Sequence, residues 1–220
     1  NVSPQTKLRV AAAIEELAAQ ETQRAARGRR LFFDFVVEAP SRFSREVKAA
    51  AEAILPEIGT TVCRLRFLAQ EIMEEDEVVG ALMRILKRGS HGVCPKARDT
   101  PKIRDAVNTL SASKIPVVTL VTDIGGTDRL TYVGLDNAGA GCTAAYLVAK
   151  TIGDVRGTVL ATRSHERFLG EEEREAAFVE TLAGSCPQLR IVAVQGGSGV
   201  DFETSRILSG LAISLSDAAI

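Results

Sequence analysis

The sequence predicts an α/β protein built on parallel sheets. Short apolar runs rich in β-branched residues, such as residues 117–121, suit strands buried on both faces. Helical segments separate these runs, so strand and helix alternate as in βαβ units. Polar residues gather where strands end: Thr122 and Asp123 after one, Asp136 and Asn137 after the next. That is the side of an open α/β sheet on which ligands bind, so the chain is expected to form a cleft for a small polar molecule.

Taken in order, Ser3 and Pro4 open a short amphipathic helix over residues 6–17, with Leu8, Val10, Ala11, Ile14 and Leu17 near helical spacing. This helix, within a first unit of residues 1–20, needs a partner for its apolar stripe. The basic run ETQRAARGRR (residues 21–30) follows, carrying Arg24, Arg27, Arg29 and Arg30. It reads as a solvated connector or as a hinge between a detachable helical element and a separate body. Residues 31–37 predict a strand, 43–55 a helix broken at Pro56, 60–68 a strand and 76–87 a helix ending near Gly89. Residues 92–94 predict a short strand before Pro95, and 101–110 a helix capped by Thr100. Strands at 117–121 and 131–135 flank a turn-rich segment, and a small-residue helix with Asn137 placed as its cap runs to Lys150. A strand at 157–161, a helix at 171–182, a strand at 189–194, the loop GGSG and a helix at 202–211 complete the pattern. About two strands in this second set, where an open sheet has ~5, predict a first lobe at 31–136 and an incomplete second lobe at 137–220.

Composition narrows the function classes. With 45% apolar and 25% charged residues the chain can bury a sizeable core, and a formal charge of -1 excludes a sequence-wide attraction to nucleic acid, so any such contact is local. Cys63, Cys94, Cys142 and Cys186 lack C-x-x-C spacing and read as reduced, mostly packed thiols. No apolar run reaches the ~18 residues of a membrane span and no signal-peptide pattern is seen, so a cytoplasmic location is expected. His91 and His165 have no metal-site spacing. GGTD and GGSG form neither a dinucleotide fingerprint nor a P-loop, and no nucleophile elbow is present. Neither an enzyme, nor a cofactor, nor a metal is expected.

Three stretches carry a family resemblance. NVSPQTKLRVAAAIEELA resembles the third helix of the DNA-binding head of the lac repressor (LacI/GalR-type) family. YVGLDNAGAGCTAAYLVA resembles that family's crossover into the second lobe, and EEEREAAFVETL is similar to its Arg-x-x-Gly-Phe helix start. The resemblance spans nearly the whole chain and implies two Rossmann-like lobes of the periplasmic-binding-protein-like type I fold, behind a helix-turn-helix head. It further implies a homodimeric repressor-type regulator whose inter-lobe cleft binds a small effector, a sugar first, and thereby controls operator DNA binding. The departures are specific. The sequence opens inside the third head helix, so this chain alone is not expected to recognise an operator. Its linker lacks the Leu that relatives wedge into the minor groove, and Ala177 stands where they have Gly. The alternative is a solute-binding protein of a transporter, using the same lobes without a head.

Six residues are candidates for effector contact. Arg174 offers a planar fork of donors suited to hydroxyls or a carboxylate, and the matching family position makes such a contact; it could instead pair with Glu171, Glu172 or Glu173. Asp123 could accept from sugar hydroxyls or simply hold turn amides. Asn137 could both cap and contact, with Asp136 ranked below it. Phe43, Phe168 and Phe202 stand near loop mouths, where ring faces stack on a sugar or a base; core packing is their other role. Phe32, Phe33 and Phe35 are assigned to packing. Arg24, Arg27, Arg29 and Arg30 are the DNA-facing hinge candidates.

Overall fold

A computed structural model of the chain describes residues 6, 9–17, 30–58, 63–163 and 168–195. The body runs β1 (Leu31–Glu38), α1 (Ser41–Ala53), a 3-10 turn (Leu55–Ile58), β2 (Cys63–Gln70), α2 (Glu75–Arg88), β3 (Gly92–Lys96), α3 (Pro101–Ala112) and β4 (Val118–Leu120). It continues through β5 (Thr131–Val133), α4 (Asn137–Ile152), β6 (Gly157–Arg163), α5 (Leu169–Ser185) and β7 (Leu189–Gln195). Every strand pairing among the described residues is parallel. The α/β class is therefore as the alternation predicted.

β2, β1 and β3 form one ladder and β4 and β5 another, joined by a single bridge between Val93 and Val117. The first layer thus has the order β2-β1-β3-β4-β5. Its seam has a local cause. Val93 donates its amide to the Pro116 carbonyl at 2.9 Å, so Pro95, two residues on, presents its missing N–H to the same side. The ladder toward β4 stops there, while β3 itself runs through Pro95 to Lys96, opposite Val36 and Val37 of β1. A break at Pro95 was expected; because the proline faces away from β1, only one side of the strand is interrupted.

Helices α2 and α3 cover one face of this layer. Val78, Leu82 and Ile85 of α2 and Ile103, Val107 and Leu110 of α3 pack with Val36, Val93 and Val117 in one apolar core. Their ends are set locally. Thr100 caps α3 through the Ile103 amide, as expected, and Glu74 and Glu77 form a reciprocal capping box at the start of α2. Gly89, with φ of 85°, closes α2. α1 buries little, only Ser44 fully, and Phe35 and Phe67 stack beside each other with ring centroids 4.3 Å apart. A second core joins Ala145 and Ile152 of α4 to Val159, Leu182, Cys186 and Leu189. Cys186 is packed as expected, whereas Cys142 is exposed and its sulfur accepts from the Thr181 hydroxyl. Ahead of the body, residues 9–17 are helical with Val10, Ile14 and Leu17 all exposed.

Candidate functional site

The carboxyl ends of β1, β3 and β4 meet the first turns of α4 and α5, and the polar side chains converge at that junction. β4 ends abruptly because Val121 takes φ of 66°, and the Thr122 amide donates back to the Leu120 carbonyl at 2.7 Å. This is a γ-turn of the rare positive-φ kind, strained for a β-branched residue. Such strain persists where surroundings fix it, and here it aims Thr122 across the junction. The buried Thr122 hydroxyl accepts from the Gly170 amide of α5 at 3.2 Å.

Asn137 and Arg174 form the second cross-connection. Asn137 is buried, and its amide nitrogen donates to the Leu135 carbonyl at 3.2 Å and the Tyr132 hydroxyl at 3.4 Å. Its Oδ1 accepts from Arg174 Nε and Nη2 at 3.2 and 2.7 Å. Arg174 therefore turns to an amide across the junction, and its guanidinium has N–H groups beyond the two that this contact uses. Asn137 does not cap α4. Asp136 does, accepting from the Gly139 amide at 2.9 Å. The helical conformation begins one residue earlier than expected for an Asn137 cap, which frees the Asn137 amide to reach Arg174.

Two close approaches fix these parts. A Cβ on Gly170 would lie 2.6 Å from the Asn137 amide nitrogen, and one on Gly141 would lie 2.3 Å from the Arg174 carbonyl oxygen. α4 and α5 are thus in backbone contact at the residue that carries the guanidinium.

Lys96, at the end of β3, forms the floor. It is 8% exposed, donates to the Glu38 carbonyl at 2.6 Å and sits 3.6 Å from the centroid of the buried Phe168 ring. Burial lowers the Lys96 pKa to about 8, against the pull of Glu38 and Glu171. Arg98 also faces this group, 3.6 Å from the Glu38 carboxylate. Between pH 8 and 10.5 the unfolded lysine is protonated while the folded one is losing its proton, so stability is expected to rise with pH in that window. Lys96→Met is expected to flatten that rise; urea unfolding across the window checks it.

The six candidates fare differently. Asp123 accepts from the Thr119 hydroxyl at 2.7 Å and the Ile124 amide at 2.8 Å and pairs with Arg129, so it anchors its own loop. Asp123, Asn137, Phe168 and Arg174 all stand at the junction. Phe43 lies on α1, 37% exposed, without a ring contact among the described residues. Phe202 lies outside the described residues, as do Arg24, Arg27 and Arg29; Arg30 is exposed at the start of β1. Lys96, Thr122, Gly141 and Gly170 were not singled out by the sequence, although Thr122 was noted as a polar strand end. Among the described residues no three His, Cys, Asp or Glu side chains are grouped to hold a metal ion. No described helix is long and apolar enough to cross a membrane.

The model of the periplasmic binding protein domain matches residues 35–206. The chain belongs to that family. Solved structures share the fold of this periplasmic binding protein domain. The glucose-galactose binding protein GanP of Geobacillus stearothermophilus is similar at 20% identity and a TM-score of 0.73, over 86% of this chain and 66% of that one. An ABC transporter solute-binding protein of Burkholderia graminis, solved with D-arabinose, is similar at 17% and 0.72, over 82% and 61%. A LacI-type transcriptional regulator structure from Bacteroides fragilis, described there as putative, is similar at 13% and 0.73, over 86% and 68%. The chain therefore spans just under two thirds of the length of GanP and less of the Burkholderia protein. No curated protein sequence matches it. In this domain family frame, the junction of β4, α4 and α5 falls wholly within the matched residues.

Proposed function

We propose that the chain is the sensor body of a DNA-binding transcriptional regulator of the lac repressor type, acting in the cytoplasm as a dimer, with a sugar as its effector. The observation that carries the ligand reading is the Arg174–Asn137 pair, which sets a guanidinium with donors to spare at the junction where Thr122 meets Gly170 and Lys96 meets Phe168. Hydroxyl-rich guests suit a cluster of fixed donors and acceptors with one aromatic wall, Phe168. The sugar-binding descriptions of GanP and of the arabinose complex favour the same ligand class. A guest bridging Lys96 on the β3 side and Arg174 on α5 would favour one mutual arrangement of the two layers. Through the linker ahead of β1, that arrangement would reset the spacing of paired DNA-binding heads. Coupling of this kind is ~1–3 kcal/mol, a ~5–150-fold change in DNA affinity.

A transporter's solute-binding protein is the second reading, favoured by the titles of GanP and the Burkholderia structure. The helix at 9–17 argues for the regulator: its apolar residues Val10, Ile14 and Leu17 lie open, as suits an element that packs inside a separate head. A thermal-shift panel of sugars, polyols and purines tests the ligand reading. A sugar at ~100 times its Kd is expected to stabilise the chain by ~2.7 kcal/mol. No shift with any compound, together with chemical conversion of one, would point to an enzyme and overturn it.

A further inference from the structure

The pole of the first layer opposite the cleft, where the strands begin, collects positive charge. Leu31 of β1 pairs with Cys63 of β2, so Arg30, Arg64 and Arg66 stand on neighbouring strands, and α2 ends over them at Lys87 and Arg88. Arg66 and Arg88 both hold the buried Asp34 carboxylate, at 2.6 and 2.7 Å. Arg66 also donates to the Gly89 carbonyl at 2.9 Å and lies over the Phe32 ring at 4.7 Å. These guanidiniums are therefore held in place. Arg84 joins them at the rim of an open, mostly apolar cavity of about 260 Å³ between α2 and the β1–β2 pair, whose other walls include Phe35, Phe67, Leu68 and Ile85. Arg30, Arg64, Arg84, Lys87 and Arg88 are exposed.

Ordinary helix chemistry explains part of this. Lys87 and Arg88 complement the negative end of the α2 dipole. It does not explain Arg64, which is exposed on a strand; Arg66, beside it, is accounted for by its ion pair with Asp34. Nor does overall composition, since the whole chain carries a net charge of -1. The polypeptide from the basic run 21–30 enters the body at this same pole, through Arg30.

We propose that this pole, formed by Arg30, Arg64, Arg66, Arg84, Lys87 and Arg88, is a binding surface for the phosphate backbone of duplex DNA. The proposal rests on the regulator reading and adds to it: the sensor body, and not the head alone, contacts DNA. The cations come from two strands and a helix and spread over a face, which fits a line of phosphates better than one small anion in a closed cage. Such contacts position a protein without reading sequence, and they supply a salt-dependent share of affinity.

The test is fluorescence anisotropy of the full 220-residue chain with a labelled duplex of about 20 base pairs and arbitrary sequence, from ~50 to ~200 mM KCl. The expected result is binding that weakens steeply with salt. The triple variant Arg64→Gln, Arg84→Gln, Lys87→Gln leaves the Asp34 ion pairs intact, and is expected to bind at least ~10-fold more weakly with a salt slope shallower by ~2–3. Should the triple variant melt early, Arg64→Gln and Lys87→Gln singly are each expected to reduce the slope by ~1. Unchanged binding by the pole variants, with all loss confined to Arg24→Gln, Arg27→Gln, Arg29→Gln, would overturn the proposal. So would the absence of salt-dependent duplex binding by the unaltered chain, or tighter binding of single-stranded RNA of equal charge. The sugar panel is read separately: a chain that binds sugar and ignores duplex loses this surface alone, and one that binds duplex and ignores every sugar loses only its effector.

Discussion

Gly141→Ala is expected to destabilise the chain by about 2 kcal/mol or more and to displace Arg174. The added methyl would meet the Arg174 carbonyl oxygen at 2.3 Å and the Phe178 amide nitrogen at 2.9 Å. Both are backbone atoms, so no change of rotamer relieves the overlap. α4 and α5 would have to separate by about an ångström to restore ordinary contact. The helix-propensity gain of alanine over glycine, ~1 kcal/mol, offsets part of the cost. At a ~2–4 °C change in Tm per kcal/mol for a chain of this size, thermal melting is expected to fall by at least ~4 °C. Gly184→Ala, later in α5 and with nothing within 4 Å of its Cβ, is the matched control. It is expected to leave stability equal or raised, and a fall of the same size in both variants would show that the clash at Gly141 is not the cause.

Arg174→Ala is expected to weaken sugar binding ~10–100-fold and to cost about 1–3 kcal/mol of stability, because the buried Asn137 Oδ1 loses the two donors that Arg174 supplies. A hydrogen bond from a charged group to a guest contributes about 1.5–3 kcal/mol, which sets the size of the affinity loss. Arg174→Lys keeps the charge but has no fork, so it is expected to fall between the two. Asn137→Leu is the informative partner. It removes the acceptor that orients Arg174 and takes from the Leu135 carbonyl one of its donors, leaving the Tyr132 hydroxyl at 3.1 Å, so both affinity and stability are expected to drop. Calorimetric titration with a sugar found by thermal shift measures the first quantity and urea unfolding the second. Full affinity in Arg174→Ala would remove this residue from the site.

What the sequence revealed depended on how local the determining contacts are. Thr100 was readable as a cap because its partner, the Ile103 amide, is three residues away. Asp136 and Asn137 were readable as a capping pair but in the wrong order, since the choice turns on Arg174, 37 residues further along. Val121 looked like one more strand residue; its positive φ follows from the packing around the junction, not from its own preference. Lys96 was overlooked because a lysine after an apolar run normally marks solvent, and here the Phe168 ring, arriving just ahead of α5, lies against it. Gly141 lay hidden among the small residues of α4, where nothing local distinguishes a glycine in helix contact from its neighbours.

The proline in β3 shapes the cleft from a distance. With β3 and β4 stitched at one rung, the first layer behaves as two plates: one ends in Lys96, the other in Thr122 and Asp123. A load applied to α5 reaches the smaller plate directly through the Gly170 amide, and crosses to the larger one by way of Val93 and the helix side chains packed beneath. The proposed ligand mouth accordingly lies across a joint, between two ladders that meet at the Val93–Val117 rung.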